Sequence, residues 1–319
     1  MAQHGVIAVA GEALVDVVPA PVDGYFEFAP GGSPANVAVG LARLGVPARM
    51  LARLGTDLLG RRLREHLAGN GVDLAHVVVA REASSLALVE VDADGVADYD
   101  FRIDGTADWQ WTAAELAGAL DDTVVAVHSG SLALTQEPGA SALRQLLRSA
   151  AGGPTVSYDP NCRPRLMGDP AEVLRGVHEM LGIADVVKVG DEDLRWLLPD
   201  SRPGEVLEDW ASRGPALVAI TLGAEGVIAG TATGLRTSRP GHAVAVVDTV
   251  GAGDSFSAAL LAGLHSRALL GPGRRAALRE IGAPALDEVL EEAVTASAIT
   301  CSRRGAQPPT GAELREAVR

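Results

Sequence analysis

A glycine-rich turn with a carboxylate directly behind it is the part of this sequence best suited to chemistry. Residues 248–256 read DTVGAGDSF. The apolar, β-branched run 242–247 (HAVAVV) before this turn predicts a strand, and the run 255–270 (SFSAALLAGLHSRALL) after it predicts a helix. Gly251 and Gly253 can adopt backbone angles that a Cβ would forbid, so successive N–H groups can converge on an anion at the positive end of the helix. The turn therefore predicts a phosphate site.

Asp254 follows this glycine turn, and its negative charge is unsuited to binding an anion. A carboxylate beside a phosphate site has a use if it accepts a proton from a nucleophile that attacks phosphorus. We therefore interpret Asp254 as a base in phosphoryl transfer. The alternative is that Asp254 only caps the helix, since aspartate is a favoured N-cap residue.

A second glycine pair lies near the start of the chain, where Gly31 and Gly32 precede a predicted helix. Ser33 is the predicted N-cap of this helix, and a proline follows it. The glycines allow a small polyol to approach the backbone, and Asn36 offers a donor and an acceptor to its hydroxyl groups. Asp16, at the end of the first predicted strand, can accept two further hydroxyl hydrogens. The alternatives are a capping turn without a ligand and a surface aspartate at a strand end.

Polar residues that suit a phosphorylated ligand follow two further predicted strands. Arg163 and Arg165 can neutralise phosphate oxygens, and Asn161 can hydrogen-bond a phosphate or a metal-bound water. Lys188 ends the next strand. Because loops at the carboxyl ends of strands gather ligands in open sheets, we expect these side chains at one site. The alternative is a solvated turn with surface arginines.

Acidic residues and another glycine motif complete the candidate site. Glu192 and Asp193 begin a predicted helix, where they either hold Mg²⁺ through water or only compensate the helix dipole. Thr221, Gly223 and Gly226 come at the end of a strand and suit the close approach of a nucleotide. The sequence contains no Walker phosphate-binding loop and no GxGxxG turn, so it gives no support to P-loop NTPases or dinucleotide dehydrogenases.

Strand and helix patterns alternate along the chain that must position these residues. The predicted strands are 6–18, 48–55, 123–134, 155–160, 185–190, 216–223 and 242–247. Predicted helices between them include 33–45, 57–71, 139–153 and 170–182. This alternation implies right-handed crossovers and a mostly parallel sheet with helices on both faces. We therefore predict a doubly wound α/β fold that forms a single domain from residue 1 to residue 319.

One region interrupts the alternation of strands and helices. Residues 83–111 alternate apolar and polar side chains and contain Asp94 and Gly95, which are a hairpin signal. With the FEF segment near Tyr25, this hairpin predicts a small β-sheet lid, built from segments at about 12–30 and 83–111, over the carboxyl ends of the strands. An exposed lid sheet would also suit a homodimer. The alternative is an antiparallel edge of the main sheet.

Composition argues against several classes of function. The 319 residues are 47% hydrophobic and 21% charged, as in an ordinary globular chain, and a net charge of −14 argues against binding to nucleic acid or to a membrane. The apolar run 6–18 lacks a basic leading segment and contains Glu12, so it predicts a buried strand and not a signal peptide. Cys162 and Cys301 form no metal or disulfide pattern. We expect a cytoplasmic protein whose partners are small molecules.

Both glycine motifs are similar to those of the ribokinase-like (PfkB) family of carbohydrate kinases. The matching segments are GGSPANVAVGLARLG (31–45) and DTVGAGDSFSAALLAGL (248–264). The resemblance runs from GEALVD at 11–16 to RRGAQPP at 303–309. Within the family, the chain resembles the bacterial fructokinases most closely, and the 2-keto-3-deoxygluconate kinases next.

The resemblance implies a ribokinase-like fold that uses ATP, Mg²⁺ and a monovalent cation such as K⁺. It implies that Asp254 is the catalytic base and that the backbone of Gly251, Ala252 and Gly253 forms the anion hole. Together with the interpretation of the residues themselves, it gives an expected sugar site of Asp16, Gly31, Gly32, Asn36, Phe101, Arg163 and Asp254. The expected nucleotide site is Asn161, Lys188, Asp193, Thr221, Gly223 and Gly226. The expected monovalent cation site is Asp248, Val250, Ser302 and Gly305, and the expected magnesium ligands, through water, are Glu192 and Asp193.

The chain departs from the family pattern at two points. Gly190 and Asp193 stand where an Asn or Ser followed three residues later by a Glu is common, so a magnesium and phosphate role would pass to Asp193 or Glu192. The lid reads FRI at 101–103, where Phe-Tyr-Arg is common, so the expected arginine is displaced. This second departure bears on the identity of the sugar.

We therefore expect transfer of the γ-phosphoryl group of ATP to a hydroxymethyl group of a small sugar. Fructose is the expected substrate, and Asp254 is the expected base. The alternative substrate is 2-keto-3-deoxygluconate or another sugar of this family. An alternative of a different class is a kinase-like regulator that binds a sugar without catalysis.

Overall fold

The computed structural model describes residues 5–318 apart from Pro21, Asp23 and residues 92–96. Its strands are β1 (Val6–Ala10), β2 (Leu14–Pro19), β3 (Phe26–Gly31), β4 (Ala48–Leu51), β5 (Arg53–Gly55), β6 (Val78–Ala80), β7 (Leu86–Val91), β8 (Ala97–Arg102), β9 (Val124–Gly130), β10 (Thr155–Asp159), β11 (Val186–Gly190), β12 (Leu217–Thr221), β13 (Val227–Thr231) and β14 (Arg236–Arg239). Its helices are α1 (Ser33–Arg43), α2 (Leu58–Gly69), α3 (Ala113–Leu116), α4 (Gly139–Ser149), α5 (Pro164–Met167), α6 (Pro170–Leu181), α7 (Asp191–Leu197), α8 (Pro203–Ser212), α9 (Ala252–Ser266), α10 (Arg275–Arg279), α11 (Ala283–Cys301) and α12 (Gly311–Ala317). Within the described residues, no helix combines the length and the apolar character that a membrane span requires.

The main sheet has the strand order β14-β13-β12-β11-β10-β9-β1-β4. Neighbouring strands from β4 to β12 are parallel, and β13 and β14 add an antiparallel edge. The predicted doubly wound, mostly parallel α/β sheet is thus confirmed. The strand order reverses between β1 and β9, because the chain first adds β4 on one side of β1 and later adds β9 to β12 on the other. Ligands of such sheets bind outside the carboxyl ends of the strands at this switch point.

Apolar clusters cover both faces of the main sheet. Successive side chains of a strand point to opposite faces, so Ile7 and Val9 of β1 pack into one cluster and Ala8 and Ala10 into the other. The first cluster contains side chains of α1, α2, α9 and α11, and the second contains side chains of α4, α6 and α8. This burial on both faces fixes the carboxyl ends of the strands relative to one another.

A second sheet has the strand order β3-β2-β7-β8. Its strands come from the two segments that were predicted to form a small separate sheet, and β7 pairs with β8 in antiparallel fashion as in a hairpin. The predicted turn at Asp94 and Gly95 lies outside the described residues. The alternative, an antiparallel edge of the main sheet, is wrong, because these strands pair with one another and not with the main sheet.

Four predicted strands differ from the structure. The run 48–55 is divided between β4 in the main sheet and β5, which pairs with β6 in a separate two-stranded sheet, and the run 123–134 forms a strand only to Gly130 before a 3-10 turn. The run 6–18 is divided between β1 in the main sheet and β2 in the second sheet, so one apolar run serves two sheets. Residues 242–247 form no strand, and the side chains of Val246 and Val247 are 64% and 61% exposed. β-Branched residues favour a strand where they can pack on a pleated surface, and these valines face solvent instead. The segment is held by the Val247 N–H, which donates to the Cys301 carbonyl at the end of α11.

Candidate active site

Asp254 is the third residue of α9, and its carboxylate contacts the first helix of the chain. Its Oδ1 accepts a hydrogen bond from the Ser33 hydroxyl at 2.6 Å, and its Oδ2 accepts one from the Asn36 side-chain amide at 2.9 Å. Burial raises the pKa of Asp254, and the bonds from Ser33 and Asn36 oppose that rise. The helix-cap interpretation is wrong, because Gly251 occupies the N-cap position of α9 and Asp254 lies inside the helix. The structure thus brings together the two predicted glycine motifs.

Ser33 has a different position from the predicted one. The N-cap of α1 is Gly32, which has a φ of 97°, and Ser33 is the first helical residue. Gly32 fits this position because a Cβ would lie 2.6 Å from the carbonyl oxygen of Glu12. The prediction of Ser33 as N-cap is therefore wrong, and its hydroxyl is available for Asp254.

The turn before α9 forms a positively polarised corner. Gly251 has a φ of 74°, which directs the chain into the helix, and Ala252 and Gly253 are its first two helical residues. A Cβ on Gly253 would lie 2.9 Å from the ammonium group of Lys188. Burial lowers the pKa of Lys188, but the Asp159 carboxylate at 2.9 Å, together with the charges of Asp193 and Asp254, outweighs it and raises the pKa overall. A charged ammonium therefore faces the positive end of a helix, which is an arrangement suited to a phosphate group.

The loops after β10 and β11 add charged groups next to this corner. Asp193 accepts a hydrogen bond from the Cys162 backbone N–H at 2.9 Å. Burial and the nearby Asp159 raise the pKa of Asp193 to about 6, although Lys188 opposes the rise. The guanidinium of Arg163 donates to the Asn161 side-chain oxygen at 2.9 Å. The predicted residues Asn161, Arg163 and Asp193 thus follow the carboxyl ends of neighbouring strands. Lys188 lies inside β11, two residues before its end, and not at the end as predicted.

Asp16 and Gly31 bring the second sheet to the same site. Asp16 lies on β2, and burial raises its pKa to about 6, with Arg163 lowering it and Asp254 raising it. Asp16 is therefore within electrostatic range of both of these groups. Gly31 lies directly behind it, because a Cβ on Gly31 would stand 2.1 Å from Asp16 Oδ2. The close contact explains why a glycine occupies the end of β3.

Phe101, a predicted sugar-site residue on β8, packs in an apolar cluster. With Leu166 and Met167 it packs against a small buried cluster of Ile103, Trp109 and Leu132. Arg102, its neighbour, is exposed and pairs with Asp100 at 2.6 Å. The lid arginine of the family pattern is thus replaced by Ile103 in an apolar cluster.

The predicted nucleotide residues at the end of β12 occupy two kinds of position. A Cβ on Gly190 would lie 3.6 Å from Asp193 Oδ2 and 3.9 Å from Thr221 Oγ1, so Thr221 lies near the Asp193 carboxylate. Gly223 has open space around its Cα. Gly226 packs on the chain beyond β14, where a Cβ would stand 2.1 Å from the Arg239 carbonyl oxygen. Thr221 thus lies near Asp193, Gly226 shapes a turn against the end of β14, and the assignment of Gly223 to the nucleotide site stays a prediction.

The predicted monovalent cation residues come together beside the glycine turn. Asp248 accepts hydrogen bonds from the Val250 N–H at 3.0 Å and from the Gly305 N–H at 2.8 Å. Ser302 is the C-cap residue that follows α11, and its hydroxyl donates to the Ile299 carbonyl. The Asp248 carboxylate and nearby carbonyl groups are hard oxygen ligands of the kind that suit an alkali or alkaline-earth cation.

Glu192 is not brought to the site. Its side chain is 89% exposed and lies 4.0 Å from Arg195. In the described part of the chain, no three His, Cys, Asp or Glu side chains are grouped so that they could hold a metal ion. A magnesium ion would therefore rely on phosphate oxygens and water, as Mg²⁺ sites of phosphotransferases commonly do, with Asp193 as the adjacent carboxylate.

Sequence reasoning missed Glu12 and Asp108 as parts of this region. Burial raises the pKa of Glu12 to about 7, with Asp108 adding to the rise and Arg163 opposing it. The Glu12 carboxylate accepts a hydrogen bond from the Ala133 N–H at 3.2 Å. A signal was present, since Glu12 interrupts an apolar run, but its burial depends on how β1 passes into the second sheet.

The fold and the site define a kinase-type phosphotransferase, with a carboxylate behind an anion-binding turn at the switch point of a doubly wound sheet. The pfkB family carbohydrate kinase domain matches residues 6–312. A fructokinase of Rhizobium leguminosarum bv. trifolii is 35% identical over 277 residues, which cover 86% of this chain and 84% of that protein. The chain therefore belongs to the pfkB family of carbohydrate kinases.

Solved structures agree with this assignment. The crystal structure of fructokinase with bound ATP from Xylella fastidiosa has a TM-score of 0.89 at 28% identity and covers 99% of this chain and 98% of that one. A fructokinase double mutant from Vibrio cholerae O395, in its fructose, ADP and potassium ion bound form, has a TM-score of 0.85 at 26% identity, with 100% of both chains covered. The fold is thus ribokinase-like.

Gly31→Ala tests the contact between the second sheet and Asp16. We expect the Michaelis constant for the sugar to rise about tenfold, because the added Cβ displaces the Asp16 carboxylate. Gly176→Ala is the control, since Gly176 lies in α6 and a Cβ added there would meet no atom from outside its own helical turn within 4 Å. Steady-state kinetics of both variants decide the matter, and an unchanged Michaelis constant in Gly31→Ala would contradict the expectation.

Proposed function

We propose that this protein is an ATP-dependent fructokinase that phosphorylates a hydroxymethyl group of the sugar. One observation carries the proposal: the Asp254 carboxylate is held against Ser33 and Asn36 while its helix begins at a glycine turn facing Lys188. A base, a sugar-binding segment and an anion site thus meet at one point. Curated relatives named fructokinase, and a Vibrio cholerae structure with fructose and ADP, support the choice of substrates.

In this mechanism Asp254 accepts the proton of the attacking hydroxyl group. As the sugar oxygen bonds to the γ-phosphorus, the bond between that phosphorus and the ADP oxygen breaks, and the proton passes to the carboxylate. Burial raises the pKa of Asp254, which makes it a stronger base than an exposed aspartate. The N–H groups of the turn from Gly251 to Gly253 and the Lys188 ammonium stabilise the negative charge on the transferred group.

Bound ions would support this electrostatic role. Mg²⁺, held by the phosphate oxygens of ATP and through water by Asp193, would neutralise phosphate charge. A potassium ion beside Asp248 and the backbone near Gly305 would add positive charge next to the glycine turn. The potassium-bound and calcium-bound forms of the Vibrio cholerae enzyme support a cation requirement.

The charges around the sugar favour a neutral substrate over a keto acid. Arg163 lowers the pKa of both Glu12 and Asp16, so its positive charge is already partly balanced by two carboxyl groups within electrostatic range. Asp254 adds a further negative group. The lid contributes Ile103 where the family commonly has an arginine, and Arg102 is exposed. A substrate carboxylate would meet repulsion here, whereas sugar hydroxyl groups can donate to the carboxylates.

A sugar panel assayed by ADP release tests the proposal. We expect the ratio kcat/KM for fructose to exceed that for 2-keto-3-deoxygluconate by at least about tenfold, because the keto acid adds an uncompensated charge. Preference for the keto acid would overturn the choice of substrate. Tight sugar binding without ADP release from any sugar would instead favour the non-catalytic regulator.

Asp254→Asn tests the role of the base. The amide keeps the size of the side chain but accepts no proton, so we expect kcat to fall by roughly 10² to 10⁴ while sugar affinity changes little. Asp209→Asn is a suitable control, because Asp209 lies on the outer side of α8 and pairs with Arg213. Turnover of Asp254→Asn close to that of the wild type would remove Asp254 from the mechanism.

We also propose that the second sheet forms a homodimer contact. Phe26 and Phe28 lie two residues apart on β3, an edge strand, so their rings share one face, and they are 60% and 62% exposed. Tyr25 is also exposed beside them. A cluster of exposed aromatic side chains on an edge strand is typical of a protein contact.

Sedimentation velocity with Phe28→Glu tests the homodimer. We expect the wild type to sediment as a dimer and Phe28→Glu as a monomer, because a charge in the apolar contact opposes association. Leu58→Glu is the control, since Leu58 is an equally exposed apolar residue on α2. A wild type that is monomeric at micromolar concentration, or a Phe28→Glu dimer, would contradict the proposal.

A cytoplasmic location and an absence of nucleic-acid or membrane partners remain predictions. The two cysteines, Cys162 and Cys301, are free, which supports a reducing compartment. The net charge of −14 supports small molecules, rather than nucleic acid or anionic lipid, as the partners.

A further inference from the structure

The chain passes between the main body and the second sheet at four places in the described residues. β1 leads into β2 through residues 11–13, and β3 leads into α1 at Gly32. Residues 81–85 lead into β7, and residues 103–108 lead out of β8. The position of the second sheet over the site depends on how these four crossings are held.

Asp108 joins three of these crossings through one carboxylate. Its Oδ1 accepts a hydrogen bond from the Ala13 backbone N–H at 2.9 Å, and its Oδ2 accepts one from the Ser85 hydroxyl at 2.5 Å. The Ser85 hydroxyl also lies 2.6 Å from the Thr106 hydroxyl, which donates to the Ile103 carbonyl. The carboxylate thus connects residues 11–13, 81–85 and 103–108 at one buried point.

A buried carboxylate at this position is unfavourable for the stability of the fold. Asp108 is buried, the Ala13 N–H and the Ser85 hydroxyl that donate to it are neutral, and it forms no ion pair among the described residues. Its charge also raises the pKa of the neighbouring Glu12. A buried carboxyl group without a cationic partner is unfavourable unless its geometry is required. The geometry here has a consequence for the site, because Ala13 lies three residues before Asp16 on the same chain segment.

We propose that Asp108 is a positioning residue for the phosphoryl transfer. By joining three crossings, it sets the position of Asp16 on the second sheet relative to Asp254 on α9. This inference rests on the proposed function, in which Asp16 binds the sugar and Asp254 is the base. Asp108 itself touches neither substrate.

Two substitutions of Asp108 test the inference. In Asp108→Ala the Ala13 N–H and the Ser85 hydroxyl lose their acceptor, so we expect the Michaelis constant for the sugar to rise about fivefold or more, with that for ATP changed less than about twofold. In Asp108→Asn the side-chain oxygen still accepts from Ala13 and the amide donates to Ser85, whose own hydrogen can then go to Thr106. We expect Asp108→Asn to restore kinetics close to those of the wild type.

Asp185→Ala is the matched control. Asp185 is also a buried carboxylate that accepts a backbone hydrogen bond, from Val156 at 2.9 Å, and it differs from Asp108 in pairing with Arg275 at 3.0 Å. It lies just before β11, at the amino end of the strands, whereas the site lies at their carboxyl ends. We expect thermal melting to show lower stability for Asp185→Ala with an unchanged Michaelis constant for the sugar. If Asp108→Ala loses stability to the same degree with an unchanged Michaelis constant, its role is structural only and the inference is overturned.

Hydrogen exchange supplies a readout that does not depend on activity. Asp108→Ala should speed amide exchange at residues 11–16 and 83–88 and leave β10 and β11 unchanged, and no change at these crossings would overturn the inference. If Asp108→Ala does not fold, Ser85→Ala replaces it, because it removes one of the two hydrogen bonds to the Asp108 carboxylate. We then expect a smaller increase in amide exchange at the same residues. The proposed function is tested separately by the ADP release of the wild-type protein with the sugar panel, and that result does not depend on any Asp108 variant.

Discussion

The burial of the Asp254 carboxylate is the constraint on which the rest of the site depends. In the described part of the chain Asp254 forms no ion pair, although the charge of Lys188 lowers its pKa. It therefore depends on the two hydrogen bonds that Ser33 and Asn36 donate, and these residues lie more than 200 positions earlier in the chain. The two helices can approach closely because Gly40 has no side chain where a Cβ would stand 2.6 Å from that of Ala258. The packing of α1 on α9 therefore serves the catalytic geometry as well as the core.

The charges of the site divide it into two ends. At the phosphate end, Lys188 is neutralised in part by Asp159, yet it stands beside a helix N-terminus that carries its own positive potential. At the proposed sugar end, Arg163 lies within electrostatic range of Glu12 and Asp16 and lowers the pKa of both. A chain with a net charge of −14 can therefore bind a polyanion such as ATP, because the positive groups are concentrated where the phosphates belong.

The sequence allowed the fold and the central residues of the site to be predicted, but not their detailed contacts. Alternating patterns predicted both sheets, since hydrophobic periodicity follows directly from burial. The prediction of a strand at 242–247 is wrong, because tertiary packing decides whether the valines of this segment are buried or exposed. Ser33 was assigned from local capping preference, although its partner is 221 residues away. Glu192 and Asp193 are adjacent in sequence, and only the rotation of α7 on the sheet decides which one points inward.

Asn36 shows how the base and the sugar can be held by one residue. Its amide nitrogen has two hydrogens, and one of them goes to Asp254 Oδ2. The second hydrogen and the side-chain oxygen remain as groups with which a sugar hydroxyl can pair. The bond that Asn36 donates also stabilises the charged carboxylate, and it therefore moderates the rise in the pKa of Asp254 that burial causes. Asp16 approaches from the second sheet, so in the proposed function the sugar would lie between the second sheet and the main sheet, which the chain crossings connect. Accurate placement of the hydroxyl on the base is thus a property of how the two sheets are joined, and not of α9 alone.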